Sequence, residues 1–254
     1  MTVGDVYCLI DAFAPFSRTM TGDNAGLLVG SPEQEVRSVL LALDGTRAVC
    51  REAAERGDGL ILLHHPIIYN PLRRVAADSA VGILLREGIS AISAHTNLDG
   101  APGGVTERLC ELAGVGDVTP IADPEEPNCA VLRQGTVIGQ PLEAFCARVK
   151  ESLPAQGVRF ISGGKQVGRV AVGAGGCGGM WRLALEAGCD TFLTADVRYD
   201  VMLDASEAGM NVVDAGHYAT ENIVLPVFER LLKDAYPTLP VFYAQSHSDL
   251  IRFC

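Results

Sequence analysis

Three short stretches of this 254-residue chain concentrate side chains that bind divalent metal ions. His64-His65-Pro66 follows the apolar run Leu60 to Leu63, Asp99 closes His95-Thr96-Asn97-Leu98-Asp99, and His217 and Glu221 bound His217-Tyr218-Ala219-Thr220-Glu221. Two histidines inside a strand would face opposite ways. At a strand's C-terminal end, with Pro66 holding His65 extended, each imidazole can instead address a different ion. That end is also where open α/β sheets place their ligands. Asp99, just after a predicted strand over 89–93, can bridge two cations or orient water. His217 and Glu221, four apart, share one helix face and suit chelation. Taken singly, each motif has an ordinary reading as a turn, an Asx turn or a helix cap. Four of the five histidines nevertheless fall at predicted strand ends beside acids, which points to a metal site.

The expected ligands are His64, His65, Asp99, His217 and Glu221, holding two divalent ions per chain. Nitrogen and oxygen donors without thiolate suit zinc, manganese, iron, nickel or magnesium, and ligand type does not choose among them. His95 is either a ligand or a hydrogen-bonding residue that orients one, and we favour the second role. His95 is also the candidate acid or base, since an imidazole titrates near neutrality, with Glu221 as the second catalytic candidate. Asp23-Asn24 before Gly26 is a supporting pair or an ordinary turn. His247 lacks a neighbouring ligand pattern and is expected at the surface.

The elements that must position these groups are legible in the apolar spacing. Val3 to Phe13 has helical periodicity, 27–29 and 39–43 read as strands, 47–56 as a helix, and 60–63 as a second buried strand. Short apolar strands alternating with helices indicate parallel or mixed sheets covered on both faces. The stretch from Arg37 to His65 superposes without a gap on that from Gly168 to Asp196, with Val39 over Val170 and Leu62 over Leu193. Both copies continue to a strand after a glycine and then to a histidine followed four residues on by an acid. The fold class expected is therefore α/β: two similar lobes with mixed sheets flanked by helices, and a small α+β insertion between them. The boundaries are 1–120 for the first lobe, 121–160 for linker and insertion, and 161–254 for the second lobe. The glycine-rich run from Gly173 to Gly179 contains G-x-G-x-x-G, with Asp196 near the distance of a ribose-binding acid. In the repeat it matches the turn at Ala42 to Gly45, so close helix–strand packing is the plainer use than a nicotinamide or flavin site. Its backbone N–H groups could still bind a substrate phosphate.

Composition bounds the function. With 48% hydrophobic and 20% charged residues the chain can build a real core. A net charge of −11 disfavours a nucleic-acid partner but not an anionic small molecule, if metal ions supply positive charge. No run approaches the length needed to span a bilayer, and the N-terminal stretch lacks a basic region typical of export signals. The eight cysteines form no C-x-x-C pair and read as reduced, mostly buried thiols. A cytoplasmic protein without a membrane partner is expected.

Read in order, DNAGLLVG, ALDGT, LILLHHPI, AHTNLD, GAGG, TAD and GHYATE resemble the dinuclear-metal-centre family of Nif-three-like proteins, often catalogued as homologues of a type 2 GTP cyclohydrolase. The resemblance covers most of the chain. It implies a two-lobed α/β protein assembled as a toroidal homo-hexamer, and its metal ligands fall on the same five residues. Where many members have Y-H, this chain reads Tyr199-Asp200. Two functions follow as expectations. One is a metal-dependent hydrolase of a nucleotide-like or phosphorylated small molecule, for which the resemblance implies a GTP cyclohydrolase reaction. The other is a non-catalytic metal-binding or regulatory assembly.

Overall fold

Apolar tetrapeptides separated by capped helices set the architecture. A computed structural model describes residues 1–153 and 155–254. In chain order the elements are α1 (Val3–Phe13), β1 (Gly26–Val29), β2 (Val39–Ala42), α2 (Arg47–Arg56), β3 (Leu60–Leu63), α3 (Ala80–Glu87), β4 (Ser90–Ser93), α4 (Thr96–Asp99), α5 (Val105–Ala113), β5 (Gly116–Ile121) and β6 (Leu132–Gln140). They continue with α6 (Leu142–Ser152), β7 (Arg159–Ile161), β8 (Val167–Val172), α7 (Trp181–Glu186), β9 (Thr191–Thr194), α8 (Tyr199–Glu207), β10 (Asn211–Asp214), α9 (His217–Glu221), α10 (Leu225–Ala235) and β11 (Val241–Tyr243). The fold is α/β, with two mixed sheets flanked by helices, as the periodicity required.

The first compact unit comprises residues 1–98 and 224–248. Its sheet has the order β1-β4-β3-β2-β11, with β1 antiparallel to β4 and the other pairs parallel. Every residue of β2, β3 and β4 is buried, as expected of strands covered on both faces. Alternation sends Leu40, Ala42, Ile61, Leu63 and Ala91 into a core cluster with Val49, Cys50 and Ala53 of α2 and Ile83 and Leu84 of α3. Helix starts are fixed by hydroxyl caps: Thr46 accepts from the Val49 amide and Ser79 from that of Gly82. α10 packs in this unit against α1, β2 and β11.

The second unit comprises residues 99–223 and 249–254. Its sheet has the order β5-β6-β8-β9-β10-β7, with β8, β9 and β10 parallel and the other pairs antiparallel. Residues of the 121–160 stretch therefore build β6 and α6, and β6 hydrogen-bonds into this sheet. Trp181 is a core residue here. Arg133 of β6 is buried and forms an ion pair with Glu107 of α5 at 2.9 Å.

The units are not contiguous stretches of sequence. The chain passes from the first to the second within α4, next to Asp99, and returns just after α9, past Glu221. Each histidine-x3-acid motif thus stands at one of these crossings. Among the described residues, no helix is long and apolar enough to cross a membrane.

Candidate metal centre

In the first unit, parallel pairing of β2, β3 and β4 brings their C-terminal ends into one row, and the residues that follow carry the chemistry. His64 and His65 leave β3, Asp44 lies just past β2, and His95 lies just past β4. The ring centroids of His64 and His65 are 5.1 Å apart, those of His64 and His95 5.3 Å, and those of His65 and His95 5.7 Å. One nitrogen of each ring lies within 4.8 Å of the others, a spacing that could hold a metal ion.

Each imidazole is oriented through Nδ1. His64, wholly buried, donates to the Ala94 carbonyl at 2.8 Å. His65 Nδ1 sits 2.7 Å from Asp44 Oδ1, and His95 Nδ1 2.8 Å from Asp23 Oδ1. An imidazole that gives its Nδ1 proton to an oxygen keeps its lone pair on Nε2, the atom a metal needs. Burial works against the charge of Asp44, but hydrogen bonds from His247 and His65 overcome it and hold the carboxyl well below its usual range. Burial likewise opposes the Asp23 charge, and His95, Thr96 and the Asn24 amide outweigh it, pulling the pKa down to about 2.

Asp23 therefore contributes stability that is present above its unfolded pKa near 4 and lost as pH falls through about 2. The shift corresponds to about 2 kcal/mol, and the side chain is only 3% exposed, so solvent screens little of it. Asp23→Asn is expected to lower neutral-pH stability by about that amount and to flatten the acid limb. Urea midpoints of metal-free protein at several pH values between neutrality and acid check this. Parallel pH curves for the two proteins would contradict it.

In the second unit, α9 begins directly after β10 and brings His217 Nε2 to 2.9 Å from Glu221 Oε2. His217 Nδ1 meets Asp196 Oδ2 at 2.7 Å. Asp196 follows β9 in the left-handed region (φ 53°), a conformation that costs a non-glycine residue free energy and aims its carboxylate at His217. Burial pushes the His217 pKa down, but hydrogen bonds and charge from Glu221 and Asp196 prevail and raise it to about 9. Asp99 and Glu221 are 7% and 3% exposed. Two carboxylates at that depth are costly without strong compensation, and a divalent cation is the counter-charge that fits the donors gathered there. Burial, then the charges of Asp99 and Glu221, push the Cys177 thiol up, so a nitrogen–oxygen donor set stands beside a neutral sulfur.

The glycine-rich turn serves this cluster. Gly175 (φ 58°) passes so close that a Cβ there would lie 1.7 Å from Glu221 Oε1, and its N–H donates to Thr220 Oγ1 at 3.1 Å. The Asp196 carboxylate is taken up by His217 in this structure, which speaks for the packing use of the loop over a dinucleotide site.

The structure gathers His64 and His65 with His95 in one unit, and His217 with Glu221 in the other. Asp23 takes the supporting role rather than that of an ordinary turn. The surface expectation for His247 is overturned: its side chain is 6% exposed, with Nε2 2.8 Å from Asp44 Oδ2. Asp44 and Asp196 were not identified from the sequence as groups that orient His65 and His217. A carboxylate just past the C-terminal end of a parallel strand, next to one ending in histidine, is the signal that could have found Asp44.

Two helix-flanked mixed sheets, the first with three oriented histidines past its strand ends and the second with one, define an α/β protein of candidate metal-binding type. The chain belongs to the Duf34/NIF3 (NGG1p interacting factor 3) family, whose model matches residues 1–249. A Clostridium acetobutylicum protein called GTP cyclohydrolase 1 type 2 homolog is 30% identical over 270 residues, covering 100% of this chain and 99% of the relative. A Streptomyces coelicolor protein of the same description is 32% identical, over 86% of this chain and 81% of its own length. Among solved structures, a Staphylococcus aureus hypothetical protein matches with TM-score 0.90 at 26% identity, covering 100% of this chain and 99% of the other. Reduced HcgD from Methanocaldococcus jannaschii matches with TM-score 0.85 at 28% identity, covering 96% of this chain and 98% of the other.

Proposed function

We propose that this protein is a metal-dependent hydrolase of a nucleotide-like or otherwise phosphorylated small molecule, in which the ligand sets of the two units hold a pair of divalent ions. The observation that carries the reading is that His64, His65 and His95 each have Nδ1 on an oxygen partner, the arrangement that readies an imidazole as a ligand. His217 stands between the Asp196 and Glu221 carboxylates and would give up its Nε2 proton as a cation binds. The ligands are His64 and His65 from the first unit and Asp99, His217 and Glu221 from the second. Bound ions would supply Lewis acidity toward an anionic substrate and acidify water. His95, braced by Asp23, holds or passes a proton at its second ring nitrogen, and the Glu221 carboxylate is placed to accept one. Water addition to a purine ring carbon, the chemistry in the relatives' name, is within this scheme. A cytoplasmic homo-hexamer belongs to the same proposal, and light scattering of the purified protein checks the assembly.

The test begins with metal analysis of protein purified without chelator, followed by a screen of nucleotides and phosphodiesters. Turnover that chelation abolishes and metal restores is the expected result. A fully loaded protein that turns over none of them would leave the non-catalytic metal-binding reading and overturn this one.

Gly175→Ala probes the second ligand set. The left-handed backbone costs alanine about 1–2 kcal/mol, and the new Cβ must displace the Glu221 carboxylate. Metal affinity is expected to fall about tenfold to a hundredfold, the usual cost of disturbing a ligand's support. Chelator competition measures it, and wild-type affinity in the variant would show that Glu221 is not needed where it stands.

A further inference from the structure

The chain beyond β11 returns to the histidine cluster of the first unit. Ala244 donates its N–H to the Leu41 carbonyl at 2.9 Å. The amides of Gln245 and Ser246 donate to the two oxygens of Glu52 on α2 at 2.9 and 2.8 Å, and the Ser246 hydroxyl adds a third bond at 2.6 Å. Residues 244–246 are thus fastened to a strand and a helix of the core. His247 comes next, with its ring under cover and Nε2 on Asp44 Oδ2. The other Asp44 oxygen holds His65 Nδ1.

We infer that His247 is a positioning residue for the metal ligand His65, acting through the Asp44 carboxylate. Rotation of an aspartate about its last bond is soft, so one hydrogen bond does not fix its plane. Packing does not fix it here either, because the Asp44 side chain is 42% exposed. Two histidines on opposite oxygens do: His247 is anchored by the backbone fastened to Glu52, and His65 receives a carboxylate whose direction is already set. The result is a ligand held in one tautomer with its lone pair on Nε2, and a carboxylate that makes that nitrogen more basic. Nothing in the local sequence of Gln245-Ser246-His247-Ser248 announces this, since the partner lies 203 positions away.

The inference rests on His65 being a ligand, and the experiment separates the two ideas. Co(II) is titrated into apo wild type, His247→Leu and His247→Gln, reading the visible absorption band and the dissociation constant by chelator competition. Leucine removes the donor and is expected to weaken Co(II) about tenfold to a hundredfold and to alter the band. Glutamine keeps an N–H donor of similar reach and is expected to stay within about threefold of wild type. A purely structural role would lower the urea midpoint of the leucine variant and leave band and affinity unchanged, and that result overturns the inference. Failure of the wild type itself to bind Co(II) would instead overturn the metal-site reading on which it rests. Should the leucine variant not fold, His247→Asn, whose amide is too short to reach Asp44, is measured in its place with the same two outcomes.

Discussion

The His64→Ala protein is expected to fold and to bind divalent metal about a hundredfold to a thousandfold more weakly than wild type. Binding free energies of about 10–16 kcal/mol shared by four ligands assign each roughly 3 kcal/mol or more, and every 1.4 kcal/mol is about tenfold. His64 should carry a full share, because it is wholly buried and its Nδ1 is already committed to the Ala94 carbonyl. The fold should persist because the truncated ring follows β3 rather than sitting inside it, and β3 remains paired on both sides with β2 and β4. Some stability is lost with the ring, on the order of 2 kcal/mol, from packing removed at a buried position. His95→Ala gives the contrast. Its role under the proposal is proton handling, so metal affinity should fall by about tenfold at most while turnover disappears. Metal stoichiometry, chelator competition and circular dichroism on the three proteins decide the matter. Wild-type affinity in folded His64→Ala would remove His64 from the ligand set.

The parts of the fold and site that the sequence revealed are those written locally. Leu60 to Leu63 followed by His64-His65-Pro66 is a strand and its functional end in seven residues, and the structure ends β3 at Leu63. The internal repeat also survives in three dimensions: Val39 pairs with Leu60 and Val170 with Thr191, the same 21-residue offset in both sheets. Beyond that the copies diverge. Leu60 pairs with Ser90 but Thr191 with Asn211, offsets of 30 and 20, so by strand register the position equivalent to His95 in the second copy is Gly216 rather than His217. The two histidine-x3-acid motifs are equivalent only with a one-residue slip, and their neighbours differ because β3 is followed by His64-His65 where β9 is followed by Ala195-Asp196. What stayed hidden depends on long-range placement. No local pattern tells that α10 packs on α1 and β2, or that His247 is carried to Asp44. Such contacts are decided by where the chain crosses between units, and the crossings lie at α4, just past α9 and after Ser248, none of which the sequence marks as a boundary.

Arg133→Met is expected to destabilise the second unit by about 2–4 kcal/mol, chiefly because buried carbonyls lose charged donors, while Glu107, 31% exposed, can regain water. The guanidinium side chain is 4% exposed and its donors are almost all used. Nε donates to Glu107 Oε1 at 2.9 Å, Nη1 to the Ala130 carbonyl at 2.6 Å, and Nη2 to the Gly100 carbonyl at 2.6 Å. Glu107 in turn accepts from the Gly103 amide at 2.8 Å. One side chain on β6 therefore ties down residues 100–103, the segment that leaves the metal-ligand candidate Asp99. Methionine matches the aliphatic stem but removes the charged donor from the carbonyls of Ala130, Leu132 and Gly100, and each carbonyl left unsatisfied costs about 1–3 kcal/mol. Arg133→Lys keeps the charge without the planar fork, so it should fall between wild type and Met. Urea unfolding of the three proteins gives the order, and a Met variant within about 1 kcal/mol of wild type would show the network to be dispensable. The same variants report on the site. Because Gly100 directly follows Asp99, loosening this anchor should weaken metal binding under native conditions, where the protein is still folded. An equally destabilising change at a first-unit core position that carries no ligand, such as Leu40→Ala, should leave metal affinity where it was.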